Sequence, residues 1–191
     1  MSAHGRYDRI EGRLALRYER HMPHSIEAVW AAVTQPAGLA SWFPCRIEGD
    51  LRAGGQLRFV FPADNSEAGP PTHGEVLAVD PPRCFWFTWE AEEIRIELEQ
   101  AGDGGCVLTF IDLMPDDYAP GAARTAAGWH VCLDTLEALL DGHSVSAPTH
   151  EPTDRFRELY DSYIARGVPH GAPIPPVSSP GESVDAADHT R

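Results

Sequence analysis

The sequence predicts an α+β fold: one curved antiparallel sheet of six to seven strands wrapped around a long C-terminal helix, with two short helices after strand 1. Two observations carry that prediction. In residues 120–141 the apolar side chains Trp129, Cys132, Leu133, Leu136, Leu139 and Leu140 recur at helical spacing, so one stripe is built to be buried. The segments before it are aromatic and strand-like, as in Cys84-Phe85-Trp86-Phe87-Thr88-Trp89, and follow one another with short turns. Such succession implies antiparallel pairing, because parallel neighbours need long crossovers. One helix held against one curved sheet suggests an enclosed cavity more than an exposed cleft.

Each element follows from its local pattern. Residues 13–21 alternate, with Leu14, Leu16 and Tyr18 on one face, and Pro23 ends this strand. Ser25 is an N-cap for a short helix carrying Ile26, Val29, Trp30 and Val33. Pro36 ends it and starts a second turn through Leu39 to Trp42, which Pro44 closes. A strand over 45–50 meets the turn Ala53-Gly54-Gly55, and Leu57, Phe59 and Phe61 share a face on the next. The stretch 62–72, with Gly69-Pro70-Pro71, reads as a longer, mobile connection. Strands over 73–80, 83–89 and 94–100 follow, divided by Pro81-Pro82 and by the acidic turn 90–93. Gly102 to Gly105 then form a hairpin into 106–113. Beyond the long helix, residues 153–166 read as a further helix capped by Thr153 or Asp154, and the Pro-, Gly- and Ser-rich chain from Val168 reads as disordered.

Composition narrows the function. A hydrophobic content of 42% is ordinary for a globular chain of 191 residues. A net charge of -14 argues against nucleic acid and against an anionic membrane surface, since both demand clustered Lys and Arg. The chain has no apolar stretch of the roughly 18–20 residues that span a bilayer, and Met1 to Glu11 lacks an apolar signal core. The expectation is a cytoplasmic protein. Cys45, Cys84, Cys106 and Cys132 form no CxxC pair and read as buried small hydrophobes. His21 and His24 have HxxH spacing but no third ligand nearby in sequence, so no metal is expected, and no cofactor. A GxSxG elbow, Walker loop, dinucleotide fingerprint and HExxH motif are all missing.

Four segments carry a family resemblance: ERHMPHSIEAVWAAVTQPAGLASWF, LRAGGQLRF, GEVLAVDPPRCFWFTW and GWHVCLDTLEALL. With the element order, the chain resembles the activator of Hsp90 ATPase homologue 1-like family of the SRPBCC superfamily, over roughly residues 13–142. The resemblance implies the helix-grip fold of START-like, or Bet v 1-like, proteins. It also implies a helix-grip domain (13–142) and, in the 143–167 loop and helix, an extension of the kind many bacterial members carry; with the N-terminal lead (1–12) and the tail read from composition as disordered (168–191), these make the expected domain plan. The superfamily includes lipid and hormone carriers, polyketide cyclases and proteins that sequester reactive natural products, and a cavity between sheet and helix is their common property. The family takes its name from a eukaryotic co-chaperone with a separate N-terminal domain, whereas about a dozen residues precede the first strand here. Chaperone activation is therefore an analogy at the level of the fold.

The candidate ligand-binding residues are Phe59, Phe61, Phe85, Phe87, Trp89, Ile96, Leu98 and Phe110 from the strands. Trp129, Leu133 and Leu136 approach from the helix, and Trp42 is placed where this fold has its cavity mouth. The alternative is that they pack into a solid core. Trp86 points the other way, either exposed to a partner or covered by the 153–166 helix. Among the polar residues Arg58, His73, Glu75, Arg95, Asp112 and His130, the two-residue period places Asp112 inward with Leu108 and Phe110. A carboxylate there orients a ligand or serves as a base; the bland alternative is a helix cap or a turn bond. His130 sits at the edge of the buried stripe. Gly128, costing roughly 1 kcal/mol in a helix interior, suggests close approach of the backbone to sheet or ligand, or a bend.

Three functions follow as expectations. The first is non-enzymatic binding of a small, largely apolar molecule for transport, sensing or sequestration. The second is a chaperone accessory acting through Trp86, the short helices and the acidic surface. The third is a cyclase- or hydrolase-like enzyme using Asp112 or His130 as acid or base. An exposed sheet face or the last helix would also serve a homodimer.

Overall fold

The computed structural model describes residues 4–61, 70–102, 104–146 and 152–174. Eight strands form one antiparallel sheet: β1 (Arg6–Ile10), β2 (Arg13–Met22), β3 (Arg46–Gly49), β4 (Gln56–Val60), β5 (Thr72–Asp80), β6 (Cys84–Trp89), β7 (Glu92–Gln100) and β8 (Cys106–Met114). Their spatial order is β1-β2-β8-β7-β6-β5-β4-β3. Helices α1 (Ile26–Thr34) and α2 (Pro36–Trp42) follow β2, a 3-10 turn spans Asp116–Gly121, and α3 (Ala122–Leu140) and α4 (Asp154–Ala165) complete the chain. Ser25 Oγ caps α1 through Ala28 N at 3.3 Å, and Thr153 caps α4 through Phe156 N at 3.1 Å.

The expected count of six to seven strands is corrected to eight, and the two short helices follow the second strand. The additional strand is β1, which lies in the expected lead and pairs along β2 from Arg6↔Arg17 to Ile10↔Arg13. It is an edge strand with most residues exposed, so it has no apolar face for a periodicity to reveal. Glu11 and Gly12, both at positive φ, make its turn. The expected tail is also corrected in part. Residues 168–174 lie across the start of α3, where Pro169 O accepts from Ala123 N and Pro120 O accepts from Ala172 N, each at 2.9 Å. Val168 is buried. The expected mobile connection over 62–69, residue 103 of the hairpin and the tail from 175 lie outside the described residues.

The inner face of the sheet comes from alternate residues, as the pleat requires. Leu14, Leu16 and Tyr18 on β2, Phe85 and Phe87 on β6, Ile94, Ile96 and Leu98 on β7 and Leu108 and Phe110 on β8 are all buried. Ala126, Trp129, Cys132, Leu133 and Leu136 of α3 join them in one core. Tyr18 Oη donates to Ala126 O at 2.8 Å, which fastens sheet to helix. Gly128 departs from its expected role: a Cβ built there would meet nothing within 4 Å. No described helix is long and apolar enough to cross a membrane.

Candidate functional site: an aromatic cluster with an inward carboxylate

Between sheet and α3 the aromatic rings touch in sequence. Phe43, which closes α2, is their hub, with ring centroids 5.4 Å from Trp129, 5.5 Å from Trp89, 6.2 Å from Phe87 and 6.5 Å from Phe59. Phe59 stacks on Trp89 at 4.8 Å and 16°. Phe110 lies 4.6 Å from Trp129, and Phe85 lies 4.8 Å from Phe87, its neighbour on the same face of β6. Trp89 and Phe61, 6.0 Å apart, are half-buried and form the least enclosed end of the cluster. Sequence reasoning passed over Phe43 because it stands between a helix end and Pro44, outside any periodic segment.

Trp42 is not at an opening. It is fully buried, and its Nε1 donates to Ala32 O at 3.1 Å, so it ties α2 to α1. Ile96, Leu98, Leu133 and Leu136 are buried with the rings.

Asp112 is the polar member of this inner surface. Its exposure is 0%, and its Cα partners on either side are Leu16 and Ile94, also fully buried. Trp129 Nε1 donates to Asp112 Oδ2 at 2.8 Å, while Oδ1 is buried with no hydrogen-bond partner among the described residues. The carboxyl neither caps a helix nor closes a turn. Burial pushes it up to about 7, against the opposing Trp129 hydrogen bond and the Arg13 charge.

A second carboxyl, Glu92, opens β7 in step with Ile94, Ile96 and Leu98. Glu93 pairs with Leu113 and Ile94 with Asp112, so Glu92 lies one pleat step from Asp112 on the same face. Burial, then the Asp112 charge, pushes Glu92 up to about 8. The period-two run Glu92-Ile94-Ile96-Leu98 was the signal for it; reading 90–93 as an acidic turn hid that signal.

His130 is fully buried rather than at the edge of the stripe, and it bonds both to α4 and within α3. Nδ1 lies 2.9 Å from Tyr163 Oη, which accepts from Gly5 N at 2.9 Å, and Nε2 lies 3.4 Å from Asp134 Oδ1. The His4 ring stands 5.2 Å away, edge-on. This network joins the N-terminal segment, α3 and α4. Nearby, Arg20, almost fully buried on β2, pairs with Glu137 of α3 at 2.9 Å.

The other polar candidates face away from the aromatic cluster. Arg58 pairs with Glu48 at 2.8 Å, and His73 and Glu75 are exposed. Arg95 holds Glu11 and Glu93 on the outer face and lies 4.6 Å over the Trp86 ring. Trp86 is thus half-buried beneath a guanidinium, not beneath α4, which packs on α3. His24 Nε2 lies 2.9 Å from Asp141 Oδ1, while His21 is largely exposed near Glu19. No group of three or more potential metal ligands occurs among the described residues. A surface groove of about 270 Å³ is lined by Val131, Thr135 and Ala138, on the opposite face of α3 from Trp129 and Leu133. Two further lining residues, Arg155 and Asp134, pair with each other there at 3.0 Å.

The family described as activator of Hsp90 ATPase homolog 1-like protein matches residues 23–141. Among solved structures, EF2215 of Enterococcus faecalis, a conserved protein of unknown function, aligns with a TM-score of 0.68 at 18% identity, covering 85% of this chain and 89% of that one. The crystal structure of CalU16 from Micromonospora echinospora aligns with a TM-score of 0.61 at 22% identity, covering 85% and 93% respectively. DynU16, from the dynemicin biosynthetic locus, aligns at 0.57 with 25% identity, over 66% of this chain and 47% of its own. These likenesses establish the Bet v 1-like fold. No curated protein matches the sequence.

Proposed function

The chain belongs to the activator of Hsp90 ATPase homolog 1-like family, and from that premise we propose that it binds a small, largely apolar molecule between sheet and α3, as a carrier, sensor or sequestering protein. One observation carries the reading: Asp112 is fully buried on the inner face with one oxygen bonded and the other unpartnered among the described residues. A core built only for stability gains nothing from this, because a buried polar atom without a partner costs on the order of 1–3 kcal/mol, and more when charged. Aromatic surfaces with a few fixed polar groups are the usual lining of a small-molecule site. Trp89 and Phe61, the least enclosed rings of the cluster, are the end at which this reading has the molecule enter.

Native mass spectrometry of the full chain, purified gently from its host, tests this. A retained non-covalent mass on the order of a few hundred daltons, or saturable uptake of the neutral dye Nile red with a change in tryptophan emission, is the expected result. A clean apo mass together with no dye uptake would overturn it. The family description also names chaperone activation. Trp86, the outer-face anchor such contact would use, is already stacked under Arg95, and that favours the ligand reading.

A further inference from the structure

Resting on the reading of the chamber as a ligand site, we propose that its occupant is an apolar molecule bearing a protonated amine, which the inward carboxylate of Asp112 receives with Glu92 beside it. The geometry starts from Oδ1 of Asp112, buried on the inner face between Leu16 and Ile94 and without a hydrogen-bond partner among the described residues. A hydrogen-bond donor is what that atom lacks. Glu92 stands one pleat step away and half-buried, so two acidic groups face the same apolar space.

Among the described residues no cation is hydrogen-bonded to either carboxyl. Arg13 reaches both electrostatically, but its guanidinium is bonded elsewhere: to Glu93 Oε2 at 3.0 Å, Leu113 O at 2.8 Å and Ala91 O at 3.1 Å. The other neighbour of Asp112 is the Trp129 indole, a neutral donor already used on Oδ2. Burial holds both carboxyls toward their neutral form, so an arriving ammonium binds with release of a carboxyl proton to solvent, and its charge is what draws that proton off.

An ammonium answers each feature. It brings positive charge and up to three donors, where a hydroxyl brings one donor and no charge. A carboxylate ligand would add a third acid to the space. Hydrogen bonds to charged groups are roughly twice as strong as neutral ones. The faces of Trp129, Phe110 and Trp89, with centroids 4.6 and 6.2 Å from Trp129, attract cations through their quadrupoles. A chain of net charge -14 also draws cations toward it.

The test is displacement of Nile red from the full chain at neutral pH by decylamine, decan-1-ol and decanoate, which share one alkyl length. Decylamine is expected to bind at least about tenfold more tightly than the alcohol, with decanoate weakest. In Asp112→Asn the preference for amine over alcohol should fall to about twofold or less. Glu92→Gln, a near-isosteric change at a partly buried site and the fallback should Asp112→Asn fail to fold, should cut the preference for amine over alcohol about threefold or more. Equal affinity for amine and alcohol overturns the inference and leaves the apolar site standing. A preference for amine that survives both substitutions is adhesion to the acidic surface and also overturns it. Failure of Nile red and all three ligands to bind overturns the inference together with the reading beneath it.

Discussion

Replacing Asp112 by Asn gives a stability difference that changes with pH in a calculable way. The carboxyl ordinarily titrates near 3.8 and is raised in the fold to about 7. As pH rises from about 4, the unfolded chain releases this proton while the folded chain keeps it. Stability therefore falls with rising pH across that window; the contribution is fully present below the lower value and lost above the upper one. A rise from 3.8 to about 7 sets a ceiling of about 4 kcal/mol on the decline. Glu92, raised from 4.5 to about 8, adds to it in the same direction, and Asp112→Asn removes one cause of its shift. Asn keeps an acceptor for Trp129 Nε1 but buries an amide N–H without a partner, costing about 1–3 kcal/mol at acid pH. The wild type should thus be the more stable at about pH 4.5, and the variant should match or exceed it near pH 8. Urea unfolding followed by tryptophan fluorescence, with m held constant, measures both profiles. Profiles parallel to within about 0.5 kcal/mol would refute the account of Asp112 as an acid held neutral by burial.

Three further outcomes follow from the packing. Gly128→Ala should stabilise the protein by about 0.5–1 kcal/mol, because a Cβ there meets nothing within 4 Å and the helix loses its glycine; a lower melting temperature would show that the site is not open. Phe43→Ala should cost about 3–5 kcal/mol in chemical denaturation, since it removes the ring shared by Trp42, Phe59, Phe87, Trp89 and Trp129, and a loss under about 1 kcal/mol would deny it that central place. Tyr163→Phe strips the hydroxyl that bonds Gly5 N and His130 Nδ1, so about 2 kcal/mol of stability should go, with faster amide exchange at Gly5; unchanged exchange there would contradict the bond.

Local pattern determined much of this molecule by itself. Apolar spacing located α3 because a helix must bury one stripe, and strand alternation placed Phe59, Phe85, Phe87, Phe110 and Asp112 inward because successive side chains alternate faces. The caps Ser25 and Thr153 were legible because capping is settled within four residues. Only the tertiary structure decided what those side chains meet. That Asp112 is bonded to Trp129 seventeen positions on, that His130 finds Tyr163 of α4 thirty-three away, and that residues 168–174 return to the start of α3 are results of distant segments meeting. The exposed strand β1 was concealed for a related reason: its partner across the sheet fixes an edge strand, and that leaves no apolar period in the chain. The inward Glu92 did lie in phase with Ile94, Ile96 and Leu98, but only the structure carried the strand back through the acidic residues that read as a turn.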